Sequence, residues 1–336
     1  MQNKQSPMNV STLGPFCGLG LRVALTLFLL VSPFAGSTQE ANGQDQSVIL
    51  VVGAGGNDEF AAVFKETAET WQAVAANAKA SLTTIGLEDA EGSDLDRLAH
   101  ALKQQDETGD TLWVVLIGHG TFDGKLAKFN LRGRDLSATQ MATYLERFQR
   151  PLVVINGASS SAPFINRLSG AGRIVVTSTD SGYELNYARF GIHLAKTMLA
   201  NDVDLDKDDQ TSILEAFLAA SQQTVAFYEE DGRLVTEHAL IDDNGDARGT
   251  PRTFFRGVRV IAPPKEGQPD GLRANQIQLV RSPSELALTT EQRNQRDQLE
   301  KQIEALRGQK AQMNEDDYYA ELERLFLQVA SVIVSK

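Results

Sequence analysis

The sequence predicts an α/β fold, a three-layer sandwich in which a mainly parallel sheet is covered by helices on both faces. Three observations predict it. Short apolar runs recur along the chain and stop at small polar residues, the pattern of strands buried on both faces. Stretches with apolar residues at helical spacing lie between these runs. The intervals fit β–α–β crossovers, which parallel pairing requires.

In chain order, Ser47 to Gly53 (SVILVVG) reads as the first strand and Gly53-Ala54-Gly55-Gly56 as a tight turn into a helix. These glycines do not make a dinucleotide fingerprint. The third glycine of GxGxxG falls at Asp58, whose charge opposes a pyrophosphate. Asn57 to Ala78 places Phe60, Val63, Phe64, Thr67, Trp71 and Val74 on one helical face. A short strand, Leu82 to Ile85, precedes Ser93, an N-cap for a helix with Leu95, Leu98, Ala99 and Leu102 together. Thr111 to Gly120 (TLWVVLIGHG) holds the third strand and ends in His119-Gly120. Ser137 caps a helix bearing Met141, Tyr144, Leu145 and Phe148. Pro151 to Gly170 holds the fourth strand, Leu152 to Ile155, and Arg173 to Ser178 is the fifth, followed by a helix from Tyr187 to Leu199.

Residues 47–200 are therefore expected as the α/β domain and 201–262 as an acidic extension of it. The extension has a helix from Ile213 to Tyr228 and a last strand within Arg252 to Ile261. Residues 263–285 read as a linker and 286–336 as a helical segment, broken between Gly308 and Asn314 into two helices or one kinked one. Its apolar stripe (Leu299, Ile303, Leu306, then Tyr318, Leu322, Leu325, Phe326, Val329) either packs within the chain or serves as an oligomerisation surface.

The first 37 residues read differently. Lys4 and Arg22 flank the apolar run Val23 to Val31, which is short for a membrane span and is followed by Ser32-Pro33 and small residues. A signal peptide cleaved near Ser37 is expected, with the mature chain secreted or periplasmic and not in a membrane. The one cysteine, Cys17, precedes the apolar run, so there is no lipoprotein signal. The mature chain then has no disulfide, thiolate metal site or thiol nucleophile. It also loses two positive charges, going from −12 to −14, and so excludes nucleic acid and anionic lipid as natural partners.

The chemistry centres on two strand ends. One delivers His119-Gly120 and the other Ala158-Ser159-Ser160-Ser161-Ala162. Carboxyl ends of strands in an open α/β sheet are where catalytic groups gather. This pair resembles the caspase and legumain cysteine peptidases, in which one strand ends in His-Gly and the next in Ala-Cys-x-Ser-Gly. His119, Gly120, Ala158 and Ser161 match. Ser159 stands at the position of the nucleophilic cysteine and Ala162 at that of the glycine. The resemblance implies a caspase-like fold over residues 47–200, with His119 managing the proton and Gly120 lending its N–H to an oxyanion. Ser161 is a candidate for the substrate side, and Asp180 and Glu184, which follow the fifth strand, either line a pocket for a basic side chain or are solvated loop acids.

A serine hydroxyl is a far weaker nucleophile than a thiol. It needs a base in direct contact, itself oriented by a third group, and the family resembled holds its histidine and cysteine apart. The leading expectation is an inactive relative binding a peptide or protein in the former catalytic groove. The alternatives are a hydrolase with Ser159 as nucleophile and His119 as base, and a scaffold acting through the C-terminal helices. His100, His193 and His238 read as structural or exposed, and His238 has no evident partner.

A separate signal lies at Asp204 to Glu215 (DLDKDDQTSILE), which fits the twelve-residue EF-hand loop. Asp204, Asp206, Asp208, Gln210, Ser212 and Glu215 would offer calcium its hard oxygens. Asp209 occupies the sixth position, where the usual glycine supplies positive φ. Asp242 to Gly249 opens similarly but has Thr253 at the twelfth position, and reads as an Asx-rich turn ahead of the alternative, a second calcium site.

Overall fold

The computed structural model describes residues 46–88, 91–262 and 269–334. The expected signal peptide, 1–37, lies outside them. No helix among the described residues is long and apolar enough to cross a membrane.

Strand β1 (Ser47–Val52) leads through Asn57, whose side chain accepts from Phe60 N, into helix α1 (Asp58–Asn77). Strand β2 (Ser81–Ile85) follows, then α2 (Asp94–Lys103), capped by Ser93 as expected. Strand β3 (Leu112–Ile117) runs into a small antiparallel sheet, β4 (Gly120–Phe122), β5 (Ala127–Phe129) and β6 (Leu136–Ser137), which sequence periodicity had not marked. Ser137 and Gln140 form a capping box for α3 (Ala138–Leu145). Next come β7 (Leu152–Asn156), the short helix α4 (Ile165–Leu168), β8 (Arg173–Thr177), α5 (Phe190–Ala200) and α6 (Ile213–Glu230).

The main sheet is completed by β9 (Leu240–Asp242) and β10 (Thr250–Pro251), giving the order β10-β9-β8-β7-β3-β1-β2. The five strands from β8 to β2 are parallel and β9 and β10 antiparallel. The expected last strand within Arg252 to Ile261 is not part of this sheet. That stretch forms its own two-residue ladder, β11 (Phe255–Arg256) with β12 (Arg259–Val260), around the positive-φ Gly257.

Alternate residues of each parallel strand feed opposite cores. Val48, Leu50, Trp113, Val115 and Ile155 pack under α1, α5 and α6, while Ile49, Val51, Val114, Leu116 and Val154 pack under α2 and α3. The three-layer arrangement follows from this alternation.

The segment expected as a linker is not a free connector over the part described. Helices α7 (Leu272–Asn275) and α8 (Pro283–Leu286) flank Leu279, which is fully buried in the main core. Gln46 is buried as well. It accepts from Trp113 Nε1 at 2.9 Å and donates to the Leu279 carbonyl at 3.0 Å. Arg281 grips Asp110 with both terminal nitrogens, at 2.7 and 2.8 Å. The C-terminal segment is two helices, α9 (Thr290–Gln309) and α10 (Glu315–Val334), joined through their own core of Leu299, Ile303, Leu306, Tyr318 and Leu325. Arg296 of α9 pairs with Glu285, and Gln276 bonds Glu300, fastening the hairpin to the domain.

Candidate functional site

Strands β3 and β7 pair in parallel with Leu116 opposite Asn156, so their carboxyl ends leave the sheet side by side. The His119-Gly120 turn and the Ser159 turn therefore touch. A Cβ on Gly120 would lie 2.2 Å from the Ser159 carbonyl oxygen, so only glycine permits this approach. Ser159 is almost entirely buried. Its hydroxyl accepts from Gly120 N at 3.4 Å and donates to Gly120 O at 3.3 Å, two long bonds to the turn facing it.

His119 does not reach that hydroxyl. Among the described residues no hydrogen bond joins its ring to Ser159. The ring sits in an aromatic cage, edge-on to Phe60 (4.7 Å between centroids), Phe64 (5.0 Å) and Tyr187 (5.8 Å). Burial there pushes the imidazole below its ordinary value of 6.5, against a hydrogen bond to the Gly55 backbone that favours the charged form. Burial likewise pushes the Tyr187 phenol up to about 12. The loop carrying Tyr187 is held by Glu237, which accepts from the N–H groups of Arg189 and Phe190 at the start of α5 and from the Tyr228 hydroxyl.

Of the residues expected on the substrate side, Ser161 is a correction. It is fully buried, shares a hydrogen bond with the Thr179 hydroxyl at 3.1 Å and accepts from Ser178 N at 3.0 Å, so it fastens the turn to the end of β8. Asp180 and Glu184 do come together. Glu184 Oε2 accepts from Asp180 N, and its carbonyl accepts from Ser160 N at 2.9 Å, which places this loop against the Ser159 turn. His238, which the sequence left without a partner, is the third member. Its Nδ1 meets Glu184 Oε1 at 2.5 Å, and the three side chains each bring a ligand-type atom within 4.8 Å of the others. Beside them Tyr183 stacks edge-on to Phe122 of β4, and both Tyr183 and Leu185 are exposed.

Three further residues escaped the sequence reading. Ser160 adopts a left-handed φ of +54° without being glycine. Its buried hydroxyl, Asn156 Nδ2 and Ser178 Oγ all lack a hydrogen-bond partner among the described residues. All three sit at the carboxyl edge of β7 and β8, around Ser159. Nothing in a run of serines distinguishes an orphaned hydroxyl from a capping one, since the difference lies in the tertiary surroundings.

The acidic loop after α5 divides the six expected calcium ligands into two sets. Asp204, Asp206 and Asp208 converge, each with a carboxylate oxygen within 4.8 Å of the others. Asp209 takes the φ of +64° that the absent glycine would have supplied. Burial and the Asp206 charge raise the Asp208 carboxyl above its usual range. The other three are engaged elsewhere. Ser212 and Glu215 form the capping box of α6, Glu215 Oε1 accepts from Leu205 N, and the Gln210 side chain bridges Asp208 and Ser282. Asp242 to Gly249 is an Asx-rich turn: Asp242, Asn244 and Asp246 accept from Gly245 N, Asp246 N and Arg248 N in succession.

In structure the chain is similar to caspases. It aligns with the Drosophila initiator caspase Dronc at a TM-score of 0.42 and 13% identity, over 62% of this chain and 83% of that one. Caspase-1 from Spodoptera frugiperda gives 0.40 and 11%, over 60% and 87%. A protein from Geobacter sulfurreducens gives 0.37 and 12%, over 53% and 89%. No protein-family model matches the sequence, and no curated protein does.

Proposed function

We propose that this protein is a catalytically silent relative of the caspase and legumain peptidases, exported from the cell. It binds a peptide or protein segment along the carboxyl edge of the sheet, between the Ser159 turn and the loop carrying Asp180 and Glu184. One observation carries the reading: the Ser159 hydroxyl is bonded to both backbone groups of Gly120 and to no imidazole. A serine so placed has no base to take its proton, and its pKa keeps it un-ionised at neutrality. This edge carries side chains that suit recognition. The exposed Tyr183 and Leu185 offer apolar contact, and Asp180 offers a carboxylate to a basic side chain.

The test is a diverse peptide library incubated with the parent, Ser159→Ala and Ser159→Cys, and read by mass spectrometry. No cleavage by the parent, with cleavage appearing in Ser159→Cys, is the expected result. Parent cleavage that disappears in Ser159→Ala would overturn the reading in favour of a serine hydrolase. Binding is measured separately, by enrichment of basic peptides on the immobilised parent and its loss in Asp180→Asn.

Calcium belongs to the same proposal as a stabilising ion. Asp204, Asp206 and Asp208 would hold it, with Glu215 joining only by releasing Leu205 N and Ser212. At one hundred times the dissociation constant such an ion adds about 2.7 kcal/mol to the folded state. A Tm that calcium does not raise, or raises equally in Asp206→Asn, counts against the site.

A further inference from the structure

At the opposite end of the sheet from Ser159, a cleft of about 500 Å³ opens beside Thr111 and Pro151, the residues just before β3 and β7, with the 273–281 segment and α9 as its other walls. Its composition departs from the rest of the molecule. In a chain of net charge −12, this cleft gathers Arg273, Arg281, Arg293, Arg296 and Lys301 against three carboxylates, those of Asp110, Glu285 and Asp297.

The carboxylates are already committed. Asp110 is held by both terminal nitrogens of Arg281, while Glu285 and Asp297 pair with Arg296. That leaves two guanidinium groups with no carboxylate in contact among the described residues. Arg293 bonds the carbonyls of Glu285 and Leu288 and the Thr290 hydroxyl, all neutral acceptors. Arg273 is in the poorer position. Its Nε is buried with no hydrogen-bond partner among the described residues. A desolvated cation is costly unless it is paired, and a guanidinium fork is matched in geometry to a carboxylate or a phosphate. Burial lowers the affinity of both arginines for their protons, and the Arg281 and Arg296 charges add to this at Arg293, against the charges of Asp243 and Asp297 at Arg273 and of Glu285 and Asp110 at Arg293.

We infer that this cleft is a binding site for a small organic oxyanion, a phosphate- or carboxylate-bearing molecule held by Arg273 and Arg293. The volume lies in the range of small-molecule sites, well above what a lone inorganic ion needs. The amide side chains of Asn294 and Gln298 on the α9 wall add neutral polar groups suited to hydroxyls on such a ligand. The bound anion would touch the 273–281 segment and α9 at once, and so would couple ligand binding to the seating of the C-terminal hairpin on the domain.

The experiment is a thermal-shift and calorimetric titration of the full chain with inorganic phosphate, glucose 6-phosphate and citrate, each against sodium chloride at matched ionic strength. Saturable stabilisation by glucose 6-phosphate or citrate is expected, and which one acts separates phosphate from carboxylate chemistry. Arg273→Gln and Arg293→Gln should each weaken that binding about tenfold or more, the range for one charge-assisted contact. Arg256→Gln, on a different surface, should leave it unchanged. Should Arg273→Gln fail to fold, Arg273→Lys keeps the charge without the fork and is expected to bind several-fold more weakly. Three results would overturn the inference: no saturable response beyond that of chloride, a response to inorganic phosphate alone, or an equal response in the parent and both glutamine variants.

Discussion

Asp242 ends β9 with no exposed surface, and its Oδ2 lacks a partner among the described residues. Burial pushes its carboxyl from 3.8 up to about 6, outweighing the stabilising bonds from Ser169 and Gly245 N, and the Asp270 charge adds to the rise. A carboxyl shifted this far costs the folded state about 3 kcal/mol once ionised. The sign follows from linkage. Below pH 3.8 the group is protonated in both folded and unfolded chains and costs nothing. As pH rises from about 4 through about 6 the unfolded chain gives up its proton first, so stability falls. Asp242→Asn removes the titration and keeps an oxygen for Gly245 N. Urea unfolding at pH 4 and pH 7.5 should therefore show the variant close to the parent at pH 4 and about 2–3 kcal/mol more stable at pH 7.5. A stability difference between variant and parent that is the same at both pH values would refute the reasoning.

Other consequences follow from the same geometry. Ser160→Gly relieves both a left-handed φ and a buried, unsatisfied hydroxyl, and is expected to raise the unfolding free energy by about 1 kcal/mol; a loss would show that the hydroxyl has a partner in solution. Burial raises the Asp110 carboxyl, but the hydrogen bonds and charge of Arg281 outweigh it, leaving it below 3.8. Its contribution is thus present above 3.8 and lost as pH falls through the folded value. Arg281→Met should cost about 3 kcal/mol at neutral pH, with the deficit shrinking in acid, as denaturation at the two pH values will report. His119 should titrate below 6.5 by NMR and move upward in Phe60→Ala, which opens the cage to water; a midpoint at or above 6.5 in the parent would contradict the burial argument.

Where the sequence was legible, the reason is local. The strands β1, β3, β7 and β8 are apolar runs with few competing readings, and Ser93 and Ser137 are caps whose partners lie within the next turn. The apposition of His119-Gly120 with Ser159 was legible because parallel neighbours must end at the same edge. What was not legible depends on distant partners. The 269–285 stretch of the expected linker looks like one until Leu279 meets the core and Arg281 meets Asp110 across 171 positions. His238 gains its role from Glu184, 54 residues earlier. Ser161 sits in the matching motif, yet Thr179 and Ser178 turn it inward. The strands β4 to β6 were missed because two- and three-residue segments carry too little periodicity to register.

The distribution of unfavourable local features bears on whether the Ser159 edge is a relic or a working surface. Five buried polar atoms lack partners among the described residues, and three of them, on Asn156, Ser160 and Ser178, ring the Ser159 turn, where Ser160 also has a backbone conformation that favours glycine. Each such group costs about 1–3 kcal/mol in an interior that offers it nothing. If the edge served only to hold the sheet together, single changes such as Ser160→Gly or Ser178→Ala would relieve these costs without disturbing β7 or β8. Ser161, one residue away and fully bonded, shows that the same turn can satisfy a hydroxyl when its role is structural. Backbone strain and buried, unpaired polar atoms gather at one strand edge, beside exposed Tyr183 and Leu185, and are tolerated there rather than removed. On the proposed reading, the constraint that keeps them is the peptide or protein segment held at this edge.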